Sequence, residues 1–303
     1  MILLIGKDGQ LGRNLALTLA PLGPITLWGR NDADLASPDL AKRLDALKHT
    51  PNIIVNAAAY TDVDRAENDE RCADIVNHLA VKTIAEFALS KGALFIHYST
   101  DYVHDGRKKD FYLEEDTPNP LNVYGQTKLQ GEMAIAEVMG EKGDYLIFRT
   151  SWVYSLVGKN FLKTVLHLAH THVLLSMDNT QHGSPTSAEY LASATANVVK
   201  DRLDGKEGLE RGLYNLAASG ETTWYEYAIW IVEKAESLGF TLKLKPEGIV
   251  IPNETGKLQT AARPNNSRLS TIKYQRQTHL IPPHWSYYAE LILGNLSSFK
   301  PVL

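Results

Sequence analysis

Short, wholly apolar runs alternate along the first half of the chain with longer stretches in which apolar residues return every three or four positions. ILLI (2–5), ITLW (25–28), NIIVNAAA (52–59), ALFIHYST (93–100) and DYLIFRTS (144–151) are short, apolar on both faces and bounded by polar, glycine or proline positions, which is the pattern of buried strands. Between them QLGRNLALTLA, DLAKRLDALKH, the stretch from about 69 to 91 and the segment after Pro120 carry a helical period. Five such strands, joined by helices long enough to cross over, predict an α/β protein built on a doubly wound parallel sheet covered on both faces, the Rossmann type.

After Ser151 the regularity weakens. Helical patterns fall at about 160–170, 187–200 and 223–237, strand-like runs at VLLSM (173–177) and LYNLAAS (213–219), and the tail from 240 mixes prolines with short apolar pieces. The expected division is a dinucleotide-binding Rossmann domain of residues 1–150 and about 187–215, with about 151–186 and 216–303 forming a smaller, discontinuous substrate-binding lobe toward the C-terminus, over the carboxyl edge of the sheet. One or two elements of the second half should join the sheet.

Composition narrows the class. Of 303 residues, 44% are apolar and 22% charged, as in an ordinary globular chain. A net charge of −4 gives no broad attraction for nucleic acid or anionic lipid, so neither is expected as a partner, and any anionic ligand must be held locally. Cys72 is the one cysteine, so no intrachain disulfide can form. The opening run, Met1 to Ile5, is too short for a signal peptide, and nowhere do about 20 apolar residues follow one another. A soluble, cytoplasmic protein is expected.

The candidate chemistry sits at strand ends. GKDGQLG puts Gly6, Gly9 and Gly12 at the first strand–helix junction. Gly6 permits a sharp turn, Gly9 lets backbone approach a pyrophosphate, Gly12 lets the helix pack closely, and the helix amino end offers free N–H groups to phosphate. After the second strand comes WGRND, where Arg30 suits the 2′-phosphate of NADPH and Asp32 or Asp34 the ribose of NADH. Tyr124 and Lys128 lie one helical turn apart on one face. An ammonium there favours the phenolate and should bring the phenol's proton exchange toward neutral pH. Thr100, ending the fourth strand, is placed to support a substrate oxygen.

Taken together, GKDGQLG, IIVNAAAYTDVDRAE, HYSTDYV, PLNVYGQTKLQGE, FRTSWVY, GSPTSAE, GETTWYEYA and ARPNNSRL run nearly end to end, and the chain resembles the dTDP-4-dehydrorhamnose reductase family of the extended short-chain dehydrogenase/reductases. The resemblance implies reduction of the C4 ketone of a dTDP-sugar by NADPH or NADH. It implies Gly9, Gln10 and Leu11 along the cofactor pyrophosphate, Asp34 and Leu35 near the adenosine, and Ala59, Tyr60, Thr61 and Tyr98 along the cofactor. It makes Tyr124 the proton donor, Lys128 its orienting partner, Thr100 and Asp101 contacts to the sugar, and Trp152 a surface packed on the substrate. Arg263 is implied as a diphosphate contact, and an acidic protein binding a dianion has physical need of such a guanidinium. Some members are bridged into dimers by magnesium held on carboxylates. Here Asn14 stands at one of those positions, LILGNLSSFK (291–300) supplies no acid at another, and Glu189 alone survives, so magnesium and a metal-bridged homodimer are not expected. A homodimer of another kind stays open.

Other features have plainer readings. HLAHTH (167–172) reads as helix histidines; Trp224, Tyr225, Tyr227 and Trp230 as packing between lobes, with thymine stacking the lesser alternative; Asp62, Asp64 and Glu67 as a solvated loop; and Asn77 as a partner for buried backbone. Two rival functions share the fold: a nucleotide-sugar epimerase or dehydratase, and a non-catalytic regulatory subunit. Dehydratases of the superfamily carry Glu where this chain has Tyr102, and Trp152 with the Arg263 segment speaks for a working sugar site.

Overall fold

The computed structural model describes residues 1–206, 208–252 and 260–298. The five expected strands form as β1 (Ile2–Ile5), β2 (Ile25–Trp28), β3 (Ile53–Asn56), β4 (Leu94–Thr100) and β5 (Tyr145–Thr150), and β6 (Gly212–Asn215), out of the expected run at 213–219, is the sixth. All pair in parallel in the order β6-β5-β4-β3-β1-β2. Chain order reverses between β1 and β3, and the splayed loops leaving those two carboxyl ends open a crevice.

Helices α1 (Gln10–Leu19), α2 (Leu40–Asp45), α3 (Ala80–Lys91), α4 (Val123–Met139), α5 (Phe161–Thr171), α6 (Ala188–Leu203), α7 (Trp224–Ser237) and α8 (Trp285–Ser298) account for most of the rest. The sheet's two faces are apolar because each is covered. Leu4, Val55, Ile96 and Phe148 pack beneath α1 and α6, while Leu3, Ile54, Phe95 and Ile147 pack beneath α2, α3 and α4. A third core, with Tyr154, Leu162, Tyr227, Ile231 and Leu293, joins α5, α7 and α8.

Three expectations shift. The stretch 69–91 is helical but not uniform: Glu70–Asp74 is α-helical, Ile75–Leu79 is a π-helical turn, and α3 follows, ending at Gly92 with φ 62°. VLLSM contributes only Leu175–Ser176, paired with Ile249–Val250 apart from the main sheet; Val173 and Leu174 lie largely exposed, with no layer to cover them. Within the expected LYNLAAS strand, pairing with β5 stops at Asn215, whose amide donates to the Tyr112 carbonyl, and the chain leaves the sheet there. Phe299 and Lys300, the end of LILGNLSSFK, lie outside the described residues. No helix among the described residues is long and apolar enough to cross a membrane.

Candidate active site

A cleft of about 840 Å³ opens at the β1/β3 reversal, the size range of cofactor and ligand sites. Its floor is the glycine turn. Gly6 sits at φ 95°, and a Cβ there would meet the Ala58 nitrogen at 2.6 Å. A Cβ on Gly12 would lie 1.9 Å from the Gly6 carbonyl oxygen, so the first turn of α1 can rest on the loop only without a side chain. Gly9 caps α1 with no side-chain bond, and no acidic residue stands in the first turn, which leaves N–H groups and the positive helix end for phosphate. This cradle fits a dinucleotide pyrophosphate.

Beyond β2, Arg30, Asp34 and Leu35 line the cleft. Asp32 is committed elsewhere: it accepts from the Gly29 N–H at 2.8 Å and pairs with Lys7 at 2.5 Å. Asp34 accepts from the Ala36 N–H at 3.0 Å. Ala59 and Thr61 line the cleft, but Tyr60 turns away, its hydroxyl 3.3 Å from Asp69 and its backbone held by Asn77. Asn77, on the π turn, accepts from Tyr60 N–H at 2.8 Å and donates to the Tyr60 carbonyl at 3.1 Å and to Thr127 at 3.2 Å. One buried amide thus ties the loop after β3 to the helix carrying Tyr124.

Tyr124 and Lys128 leave α4 toward the end of β4, where Tyr98, Ser99, Thr100 and Asp101 complete that wall. Asn122 caps α4 by accepting from Gly125 N–H at 2.7 Å, and Gly125 lets the helix approach the Tyr102 carbonyl, which a Cβ would meet at 2.2 Å. Lys128 is buried and donates to the Tyr98 carbonyl at 2.6 Å, with His97 Nε2 at 3.0 Å. Burial lowers its ammonium to about 8 against the pull of Glu132. The expected lowering of the phenol is absent: burial pushes Tyr124 up to about 12, although its hydrogen bond with Thr100 works the other way. The cause is solvent exclusion, and the Lys128 side chain is turned to the Tyr98 carbonyl on the strand. At neutral pH Tyr124 is a phenol, the form that gives a proton. Burial also raises Asp101 to about 7, opposed by the hydroxyls of Ser267 and Thr100, the latter donating at 3.1 Å. Tyr98 lines the cleft while its hydroxyl lies 2.5 Å from that of Thr195.

Trp152 forms the opposite wall. Its φ of 48° is a left-handed conformation, and its indole stacks on Trp224 at 3.5 Å and 11°. A Cβ on Gly183 would lie 2.5 Å from that indole, so glycine is required behind it. Trp224 also lines the cleft and donates to Gln181 at 3.3 Å. Sequence reasoning left Trp224 to packing; its place at the start of α7 beside the capping pair Thr223 and Glu226 was the available signal.

Arg263 is not part of the cleft wall. Its guanidinium grips Asp64 with two bonds, at 2.7 and 3.1 Å, and donates to the Ala261 carbonyl, while Tyr102, which does line the cleft, hydrogen-bonds it. In this arrangement the guanidinium supports Tyr102 from behind. The acidic loop is correspondingly not just solvated: Asp64 is held down to about 2 by Arg263, Asp62 caps the helix Val63–Ala66, and Glu67 accepts from Val123 N–H at 2.8 Å.

Around Glu189 the donors do not suit magnesium. One of its oxygens accepts from Ser155 at 2.6 Å and from Leu156 N–H at 3.1 Å, and Asn14 donates to Ser155 at 3.1 Å, so a single carboxylate stands among neutral groups. Among the described residues no three His, Cys, Asp or Glu side chains gather to hold a metal. In HLAHTH, His170 is bonded to the Leu166 carbonyl of its own helix.

Residues 1–298 match the family described as the RmlD substrate binding domain. A dTDP-4-dehydrorhamnose reductase of Escherichia coli K12 is 43% identical over 300 residues, 97% of each chain. Among solved structures, a dTDP-4-dehydrorhamnose reductase of Clostridium acetobutylicum superposes with a TM-score of 0.85 at 29% identity, covering 97% of this chain and 99% of the other. That of Bacillus anthracis, in complex with NADP, superposes with a TM-score of 0.83 at 28% identity, over 99% of both.

Proposed function

Since the chain belongs to the RmlD substrate-binding family, we propose that it reduces the C4 ketone of dTDP-4-dehydro-L-rhamnose to dTDP-L-rhamnose, with NADPH as cofactor and Tyr124 as proton donor. It is an NAD(P)H-dependent oxidoreductase, and relatives carrying the dTDP-4-dehydrorhamnose reductase name align over nearly the full length of both chains. The observation that supports the finer reading is the juxtaposition of the half-buried Tyr124 with Thr100 and Lys128 at the end of β4, in the cleft that the glycine turn also lines.

In this reading Gly9, Gln10 and Leu11 hold the pyrophosphate on the α1 amino end, Arg30 faces the 2′-phosphate, and Asp34 and Leu35 flank the adenosine. Ala59, Thr61 and the backbone of Tyr98 border the path to the nicotinamide. The bound reduced nicotinamide supplies the hydride. Thr100 hydrogen-bonds the ketone oxygen, and Tyr124 gives its proton to that oxygen as negative charge develops, a step worth about 10²–10⁴ in rate. The Lys128 ammonium offsets the resulting phenolate, Asp101 borders the sugar, and the Trp152 face closes the site against water. Residues 1–150 with about 187–215 serve the cofactor, and about 151–186 with 216–303 the sugar nucleotide.

Following NADPH absorbance with the dTDP-4-keto-6-deoxy sugar tests the activity. Tyr124→Phe should retain NADPH affinity and lose about 10²–10⁴ in kcat. Near-normal turnover in that variant removes the proton-donor role, and a wild-type protein that binds the sugar without consuming NADPH removes the reductase reading in favour of a binding subunit.

A further inference from the structure

Behind Lys128, inside the sheet, two buried polar groups that the proposed reaction does not use, His97 and Asn56, extend a hydrogen-bonded chain from its side chain. Asn56, His97 and Lys128 are each at most 1% exposed. Asn56 Nδ2 lies 3.2 Å from His97 Nδ1, and His97 Nε2 lies 3.0 Å from Lys128 Nζ. The amide orientation of Asn56 is set independently, because its Oδ1 accepts from Ala58 N–H at 3.0 Å; turned over, the amide would bring two donors together there.

Counting donors and acceptors gives the consequence. Asn56 Nδ2 can only donate, so His97 Nδ1 must accept, and a neutral imidazole with a bare Nδ1 carries its proton on Nε2. That Nε2–H needs an acceptor, and the group facing it is Lys128 Nζ, which accepts only as a neutral amine. An ammonium would need Nε2 bare, which moves the ring proton to Nδ1 and sets it against the Asn56 amide. Protonating His97 offers no escape, since burial and the Lys128 charge both hold it well below the usual imidazole range. Resting on the reductase reading for its functional weight, we propose that Asn56 and His97 are positioning residues that set the proton affinity of Lys128: they match its amine and mismatch its ammonium.

The other charge acting on Lys128 is Glu132, on the same helix, which favours the ammonium and is itself held by Arg149 from β5 at 2.6 and 2.9 Å. Tyr98 contributes its carbonyl, which accepts from either form of Lys128. The balance is simple. When Lys128 goes from ammonium to amine, the His97 proton passes from Nδ1 to Nε2, and one proton is released to solvent. The lysine beside the reacting phenol is thereby tuned toward neutral pH by a pair that touches neither cofactor nor sugar.

The test reads both groups by NMR in full-length protein labelled with ¹⁵N-histidine and ¹³C-lysine, with Lys128 assigned by its loss in Lys128→Met. In the wild type His97 should hold its proton on Nε2 at pH 9 and change tautomer with the same midpoint as Lys128. Asn56→Leu, which removes the donor without adding charge, should weaken the Lys128 acid about five- to tenfold, the worth of one neutral hydrogen bond, and move the basic limb of the kcat profile to higher pH by the same amount. A wild-type His97 protonated on Nδ1 at pH 9, or an unchanged Lys128 midpoint in Asn56→Leu, overturns the proposal. Should that variant not fold, the wild-type tautomer decides. The NMR result stands whether or not the protein reduces a dTDP-sugar, so failure of the pair and failure of the reductase reading are separable.

Discussion

Two residues at the end of β4 and the start of the next loop, Thr100 and Asp101, hold protons at opposite cost. Thr100 finds partners on all sides, donating to Asp101 and accepting from Tyr102 N–H at 3.2 Å. Asp101 is buried with its charged form unfavourable, raised from the ordinary carboxyl value to about 7. The sign follows from linkage. The unfolded chain releases this proton near pH 4 and the folded chain near 7, so stability falls as pH rises across that window and stays lower above it. Asp101→Asn should therefore be more stable than wild type at pH 8, by roughly a few kcal/mol, and nearly equal at pH 4. Denaturant melts at the two pH values check this, and equal differences at both would mean the carboxyl is not held protonated.

At the scale of elements, the site depends on close approaches that a methyl group would forbid. Strand β1, the glycine turn and α1 meet at Gly6 and Gly12 with no room for a Cβ on either, which fixes the angle at which the α1 amino end faces the cleft. Gly12→Ala should cost about 1–3 kcal/mol in stability through overpacking. It should weaken NADPH binding at least tenfold, because the backbone that gives way is the phosphate cradle itself. Thermal melting and NADPH titration measure the two effects, and unchanged affinity would place the pyrophosphate elsewhere. Element α4 is anchored just as firmly, with the Arg149–Glu132 pair buried between it and β5 and Gly131 resting on the Asn77 carbonyl. The proposed proton donor, Tyr124, is consequently carried on a rigid helix and not on a loop.

Across the whole molecule, the bond between Asp64 and Arg263 ties the loop after β3 to a segment about two hundred residues later and sets Tyr102 against Tyr124 at 5.7 Å, edge to face. The pair is partly exposed, so its removal should change stability by no more than about 1 kcal/mol. Its effect on the site should be larger. Asp64→Ala is expected to raise KM for the sugar nucleotide severalfold while leaving kcat within about twofold, since it loosens the sugar wall and leaves Thr100, Tyr124 and Lys128 in place. A fall in kcat alone would contradict that division of labour.

The alternation of apolar runs and helical periods by itself determined the parallel sheet, because strands buried on both faces can only be nearly continuous apolar runs. The glycine spacing and the Tyr124–Lys128 interval placed the cleft, since backbone turns and one-turn helix spacing are local properties. What local pattern could not carry was who meets whom across the sheet. The partner of Arg263, Asp64, had been read as part of a solvated loop; Tyr60 was expected along the cofactor and its hydroxyl lies by Asp69; Trp224, expected to pack between lobes, stacks on Trp152 and also lines the cleft. The acidity of Tyr124 was misjudged for the same reason. Spacing gave the distance to an ammonium, whereas the exclusion of water and the strand carbonyl toward which Lys128 turns exist only once the chain has folded.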